Sequence, residues 1–281
     1  MAEMSAWFNH APLLVIWPTL ALGFLAALAV GFVGKWFIMR RRKTAPEAEM
    51  GDEAAGFILS SALALLGLLI AFTFSMAAER FEARRHLMME QANAIGTTYL
   101  RFQLFDEPDR TRLSDLLIAY AEARQTFFGA RADSTRIERA DAHTGDVETQ
   151  MWNVLSAAIR AHPAATSNPS ILQTTNDMFD LAASDRVARE VHVPVTIIRA
   201  LTIYALIAAL LLGQNLASLR DRHLIGAGAL LVLVALAMAL ILDLDRPATG
   251  SITVSTVAFD RATGAIKTME TAHIHAASTR P

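Results

Sequence analysis

The sequence holds no cysteine. Disulfides, thiolate catalysis and cysteine-ligated metals are therefore excluded. An excess of charge of one sign is missing too: 25 Lys and Arg oppose 27 Asp and Glu, for a formal net charge of −2. Without a basic field there is no electrostatic footprint for a nucleic acid partner. Enzyme signatures are absent as well. No nucleophile elbow, P-loop, dinucleotide fingerprint or zinc-type His-Glu helix occurs, so the chain reads as a non-enzyme without a cofactor. His273 and His275 form an H-x-H pair, but no third ligand lies near them in sequence. A solvated tail is the preferred reading there, and no metal site is expected. Internal repeats and low-complexity tracts are also lacking.

What is present is apolar length. Hydrophobic residues make up 53% of the chain and mean hydropathy is +0.35, which fits a membrane protein with one modest soluble domain. The organising stretch is 56–105. From Ala54 to Ala78 there is no charge, and about 25 residues rising ~1.5 Å each cross a hydrocarbon layer of ~30 Å. Glu79, Arg80, Glu82, Arg84 and Arg85 follow with no proline or turn cluster. The membrane helix is therefore expected to continue into water as one rod.

A first apolar run at 11–34, in a helix expected over about 11–39, is ended by the basic string at 40–43. It is too long, and has its charges on the wrong side, for a cleaved signal peptide. Trp7, Trp17 and Trp36 suit interfacial positions, and Pro18 kinks or starts the helix. After the rod (helix about 54–78 in its apolar half), residues 79–192 read as a soluble helical domain. Helices are expected to about Phe128, over 146–161, and from Asn168-Pro169 onward, with 129–145 mostly loop. Residues 200–219 and 224–242 are two further uncharged runs, expected in helices of about 195–219 and 224–242 around the short turn at 220–223. The expected fold is thus an all-α membrane protein. Four transmembrane helices, arranged 2+2 (1–78 and 193–243), hold an inserted helical domain continuous with the second. Residues 244–281 are expected as an extended segment, with 251–256 short β or extended, and a fraying polar tail.

Sidedness stays open. The basic strings at 40–43 and 220–223 fall on one side, whereas Arg80, Arg84, Arg85, Arg186, Arg189 and Arg246 flank the other.

Several residues stand out. Arg199 lies one turn inside the third span, where a charge costs about 2.5 kcal/mol or more unless it snorkels or pairs. Asp243 and Asp245, at the matching end of the fourth span, are candidate partners. Arg80, Glu82 and Arg84 read either as ion pairs at helical spacing or as gating charges. Asn93, Gly96, Thr97 and Arg101 sit where the rod has a small-residue face. A seam of Leu87, Gln91, Ala94, Thr98 and Phe105 could join rods of several subunits or pack within one. Leu63, Gly67, Ile70 and Phe74 form a stripe on the second span. Lipid and bundle contact is the default for such a stripe, and in an oligomer it would ring a narrow apolar neck.

The strings at 71–85 (AFTFSMAAERFEARR) and 90–101 (EQANAIGTTYLR), with DLDRP at 243–247 and GSITVS at 250–255, closely resemble the bacterial bestrophin-like membrane proteins. That family is more distantly similar to bestrophin anion channels. RFEAR (80–84) is one residue shorter than the arginine-, aromatic- and glutamate-rich pattern that follows the bestrophin pore helix. The resemblance implies a homopentamer in a bacterial inner membrane, with the second helix lining a hydrophobic neck around Ile70 and Phe74. By analogy the permeant ions would be small anions. Asp243 and Asp245 are placed like part of the bestrophin calcium clasp, but two acids do not carry that site over. The expected partners are the lipid bilayer, further copies of the chain and inorganic ions. The alternative is a membrane-anchored scaffold or sensor whose helical domain binds a partner without a pore. A stator-like complex would need an acid within the membrane, and the uncharged spans contain none.

Overall fold

The computed structural model describes residues 13–41, 48–130, 133–218, 223–246 and 252–278. Among the described residues there are eight helices and no strand: α1 Leu13–Arg41, α2 Ala48–Phe102, α3 Asp109–Gly129, α4 Ser134–Ala161, α5 Asn168–Glu190, α6 Val195–Ser218, α7 Leu224–Leu244 and α8 Val257–Ser278. Expectations for Trp7, Arg42, Lys43, residues 220–222, Pro247, Gly250, Ser251 and the His275 side chain fall outside the described residues, as does the first part, 44–47, of the polar stretch 44–53 expected as a loop, whose remainder is helical from Ala48. Among the described residues four helices are long and apolar enough to cross a membrane. α2 is the rod: its 55 residues run from the apolar stretch into the charged one without a break. Nothing in its sequence terminates it at Ala78, because Ala, Glu and Arg are strong helix formers.

Chain contacts divide the molecule into two compact units, residues 1–80 with 192–252 and residues 81–191 with 253–281. In the first, α1 packs against α6 and α7. Ile16, Leu20, Phe24 and Leu28 of α1 and Leu201, Ala205 and Ala209 of α6 are buried there. Pro18 lies inside α1, within its first two turns. The α1–α6 contact is close enough that a Cβ on Gly31 would stand 2.1 Å from the Leu210 carbonyl oxygen, and one on Gly213 would stand 2.0 Å from that of Leu28. Hydrogen is the only substituent that fits at either position.

The second unit is a helical bundle around Ile95, Tyr99, Leu117, Tyr120, Met151, Leu155 and Met178. Burying each such side chain is worth about 1.5–3 kcal/mol. Two segments differ from the sequence expectation. The stretch 129–145 is mostly helix, because Asp133 caps α4 by accepting from Arg136 N (3.0 Å) and Ala140, Thr144 and Val147 continue the buried stripe upstream. As far as Ser278 the tail beyond 263 is helical, not frayed. Val257–Ser278 forms α8, which buries Phe259 and Ile266 in this core. Phe259 packs against Phe128 of α3 with ring centres 4.8 Å apart and planes tilted by 45°, and Glu270 accepts from the Tyr99 hydroxyl of α2 (2.9 Å). Residues 253–255 are irregular rather than β.

Candidate functional site

The apolar half of α2 shows where the stripe of the second span falls. Leu59, Leu66, Thr73 and Ala77 are buried within the protomer, and the Thr73 hydroxyl donates to the Leu69 carbonyl (2.7 Å), so no polar group is left over. Leu63 and Ile70 flank this buried edge and are half-buried, whereas Gly67 and Phe74 are exposed. A different line is more open. Phe57 (76%), Leu68 (50%) and Phe72 (64%) are exposed, as are Ser61 and Ala64 between them and Ser75 beyond, all at steps of three or four residues. That line is one continuous helix face with no cover in the protomer.

Arg80 is half-buried, and Glu82 is exposed and paired with Arg85 (3.0 Å). Arg84 is buried. It donates through Nε to the Ala188 carbonyl (3.1 Å) and through a terminal nitrogen to that of Val191 (2.9 Å). Both acceptors lie at the α5 C-terminus, whose last carbonyls have no intrahelical donor and whose dipole favours a cation. Arg84 therefore joins α2 to the end of α5. Arg199 is half-buried on α6. Asp245 accepts from Val193 N (2.9 Å), and Asp243 accepts from Ile252 N (3.0 Å). These buried carboxylates thus tie the segment entering α6 and the one leaving α7 to the end of α7.

In the second unit, Gln91 and Thr98 of the candidate seam are fully buried, so that part of the seam packs within one subunit. Gly96 is half-buried, and a Cβ there would meet nothing within 4 Å, so no described helix of the protomer approaches it closely. Asn93 and Thr97 are exposed. With Arg101 they border an open groove of about 600 Å³ between α2 and α5, where Glu90, Asp177 and Asp180 also lie. Arg101 donates across it to the Ser170 carbonyl (2.6 Å). Among the described residues no group of His, Asp and Glu is arranged to hold a metal.

Sequence reasoning missed a charged cluster inside this bundle. Arg124 of α3 is fully buried, donating to Gln91 Oε1 (3.1 Å) and Asp185 Oδ2 (3.0 Å). Arg189 donates to the same carboxylate oxygen (3.3 Å), and both guanidinium groups lie 4.4–5.0 Å from the Phe127 and Phe128 ring centres. A signal existed. Leu117, Tyr120, Ala121, Arg124 and Phe128 share one helical stripe, so Arg124 stands where an apolar residue belongs. Burial lowers the Arg189 pKa, and Asp185 opposes that shift.

Glu148 of α4 faces this cluster, with one carboxylate oxygen buried and without a hydrogen-bond donor. Burial holds its pKa above the ordinary 4.5, against the pull of Arg124 and Arg186 and with a further push from Asp141. The folded protein thus keeps this proton to higher pH than the unfolded chain does. Its contribution is full at low pH and is lost as pH rises above the ordinary carboxylate value. Glu148→Gln is expected to flatten that decline. Melting temperature of both proteins against pH checks it, and parallel profiles would contradict the assignment.

The fold and these sites define the class: a four-span helical membrane protein whose second span continues into a soluble helical bundle. The chain belongs to the bestrophin-like domain family, which matches residues 25–259. No curated protein matches the sequence. Three crystal structures of a bacterial Bestrophin homolog from Klebsiella pneumoniae share the fold. A point mutant is 13% identical with TM-score 0.68, covering 92% of this chain and 98% of that one. One phased by Zn-SAD is 14% identical, TM-score 0.61, covering 90% and 95%. A second point mutant is 15% identical, TM-score 0.64, covering 90% and 98%.

Proposed function

We propose that the protein is an oligomeric ion channel of a bacterial inner membrane, built as a homopentamer with α2 around the axis, and not an enzyme. The observation that carries this reading is the uncovered line of Phe57, Ser61, Ala64, Leu68, Phe72 and Ser75 on a helix whose apolar half buries only Leu59, Leu66, Thr73 and Ala77 in the protomer. Family membership adds the resemblance to channels. In a ring, Leu68 and Phe72 form an apolar constriction that gates by dewetting, with Gly67 and Phe74 beside it and Leu63 and Ile70 behind. The same helical spacing continues as Glu79, Glu82, His86 and Glu90, with Arg85 offsetting Glu82. A ring of such carboxylates favours cations, against the small anions that the resemblance alone implies. Arg84, Arg199, Asp243 and Asp245 then hold the helix ends rather than line the path.

Ion flux into liposomes tests this directly. Phe72→Ala and Leu68→Ala are expected to raise flux severalfold, with potassium passing more readily than chloride. Intact pentamers without flux under either gradient would refute the channel. The partner-binding scaffold has the α2–α5 groove in its favour. A monomer in native mass spectrometry would select it.

A further inference from the structure

We propose that the end of α1 is a binding site for anionic phospholipid headgroups. Arg40 and Arg41 close the helix, and Arg42 and Lys43 follow in the sequence. No acid occurs between Glu3 and Glu47, so α1 carries no compensating charge of its own. The dipole at a helix C-terminus accounts for a cation there. It does not account for what lies beneath these two. The Arg40 guanidinium stands 4.3 Å over the Trp36 ring, and that of Arg41 stands 4.3 Å over the Phe37 ring.

Stacking each cation on the aromatic residue one turn earlier has two consequences. It holds one side of the guanidinium against the ring and leaves N–H groups, which lie in the guanidinium plane, for a phosphate that can accept two of them. It also fixes depth. A Trp ring such as that of Trp36 settles at the boundary between acyl chains and headgroups, and the residues one turn further along stand at the level of the phosphates. The surface below is apolar and open: Val30, Val33, Phe37, Ile38 and Met39 are exposed along the same helix. Acyl chains would lie there while the phosphate meets Arg40 and Arg41. The boundaries at Glu79 to Arg85 and at Asp243 to Arg246 mix signs, and the start of the second span carries acids alone at Glu47, Glu49, Asp52 and Glu53. Four consecutive basic residues at the end of a membrane span, with no acid among them and with aromatic support, fit a lipid such as phosphatidylglycerol.

The full-length protein in mild detergent, offered phosphatidylglycerol or phosphatidylcholine, tests the assignment by native mass spectrometry. The wild type is expected to retain phosphatidylglycerol preferentially. The double variant Arg40→Gln, Arg41→Gln should lower that preference by about fivefold per charge, on the order of twentyfold in all. An unchanged preference in the double variant overturns the proposal. Salt provides a test that needs no variant: raising ionic strength toward ~1 M should abolish the wild-type preference, because exposed charges are screened. A salt-independent preference overturns it as well. Glycerol phosphate, which carries the headgroup chemistry without acyl chains, is expected to leave the wild-type melting temperature unchanged where phosphatidylglycerol raises it. An equal shift by both would assign the site to a soluble phosphate instead of a lipid.

Discussion

Asp185→Ala is expected to cost about 3–5 kcal/mol of unfolding free energy, the largest effect of any single change in the soluble bundle. One carboxylate oxygen serves two guanidinium groups, that of Arg124 at 3.0 Å and that of Arg189 at 3.3 Å. Arg124 has no access to solvent, and Asp185 is itself 1% exposed. Removing the acid leaves two cations over the same pair of phenyl rings, and each raises the cost of the other. The rings attract both cations, but a ring quadrupole contributes about 0.5–2 kcal/mol and cannot replace an opposite charge. Asp185→Asn should lie between, because the amide oxygen still accepts while the charge is gone. The double variant Arg124→Met, Asp185→Leu is expected to lose less than Asp185→Ala alone, since it removes the buried charge with its partner. Unfolding followed by helical circular dichroism measures all three. A near-neutral Asp185→Ala would mean that water reaches the cluster.

Gly213→Leu, and to a lesser degree Gly213→Ala, should separate α1 from α6. The added Cβ would stand 2.0 Å from the Leu28 carbonyl oxygen and 2.9 Å from the Phe32 nitrogen. Both are backbone atoms, so no rotamer change relieves the overlap. The helices must move apart by more than an ångström to reach ordinary contact. Overpacking of this kind costs about 1–3 kcal/mol for a small group and more for a large one. In a bilayer the loss is not offset by hydrophobic burial elsewhere, because helix association there rests on close packing between small residues. Gly31→Ala meets the Leu210 carbonyl oxygen at 2.1 Å and opens the same interface. The two substitutions should therefore be less than additive, which a double-mutant cycle on melting temperature reads. Full additivity would show that the two glycines report separate contacts.

The sequence by itself determined the features that follow from hydropathy and from the absence of helix breakers. The four apolar helices and the continuity of α2 through Ala78 are of this kind, because a run without charge, proline or turn residues has no reason to end. Family membership was legible too, in strings such as those at 71–85 and 90–101. Tertiary structure decided the rest. Residues 257–278 look like a frayed tail because their apolar positions are sparse, and they are helical because Phe259 and Ile266 find a core made by distant helices. The first half of α4 is similar: Ala140 and Thr144 are inward only because α3 packs beside them. Charge was the least legible property. Arg84 and Arg80 stand four residues apart on one helix, yet Arg84 is buried because the carbonyls ending α5 need donors. Those carbonyls come from a segment some hundred residues away in the chain. Whether an arginine is solvated, caps a helix or lies in a core depends on the groups that meet it. No local pattern encodes that.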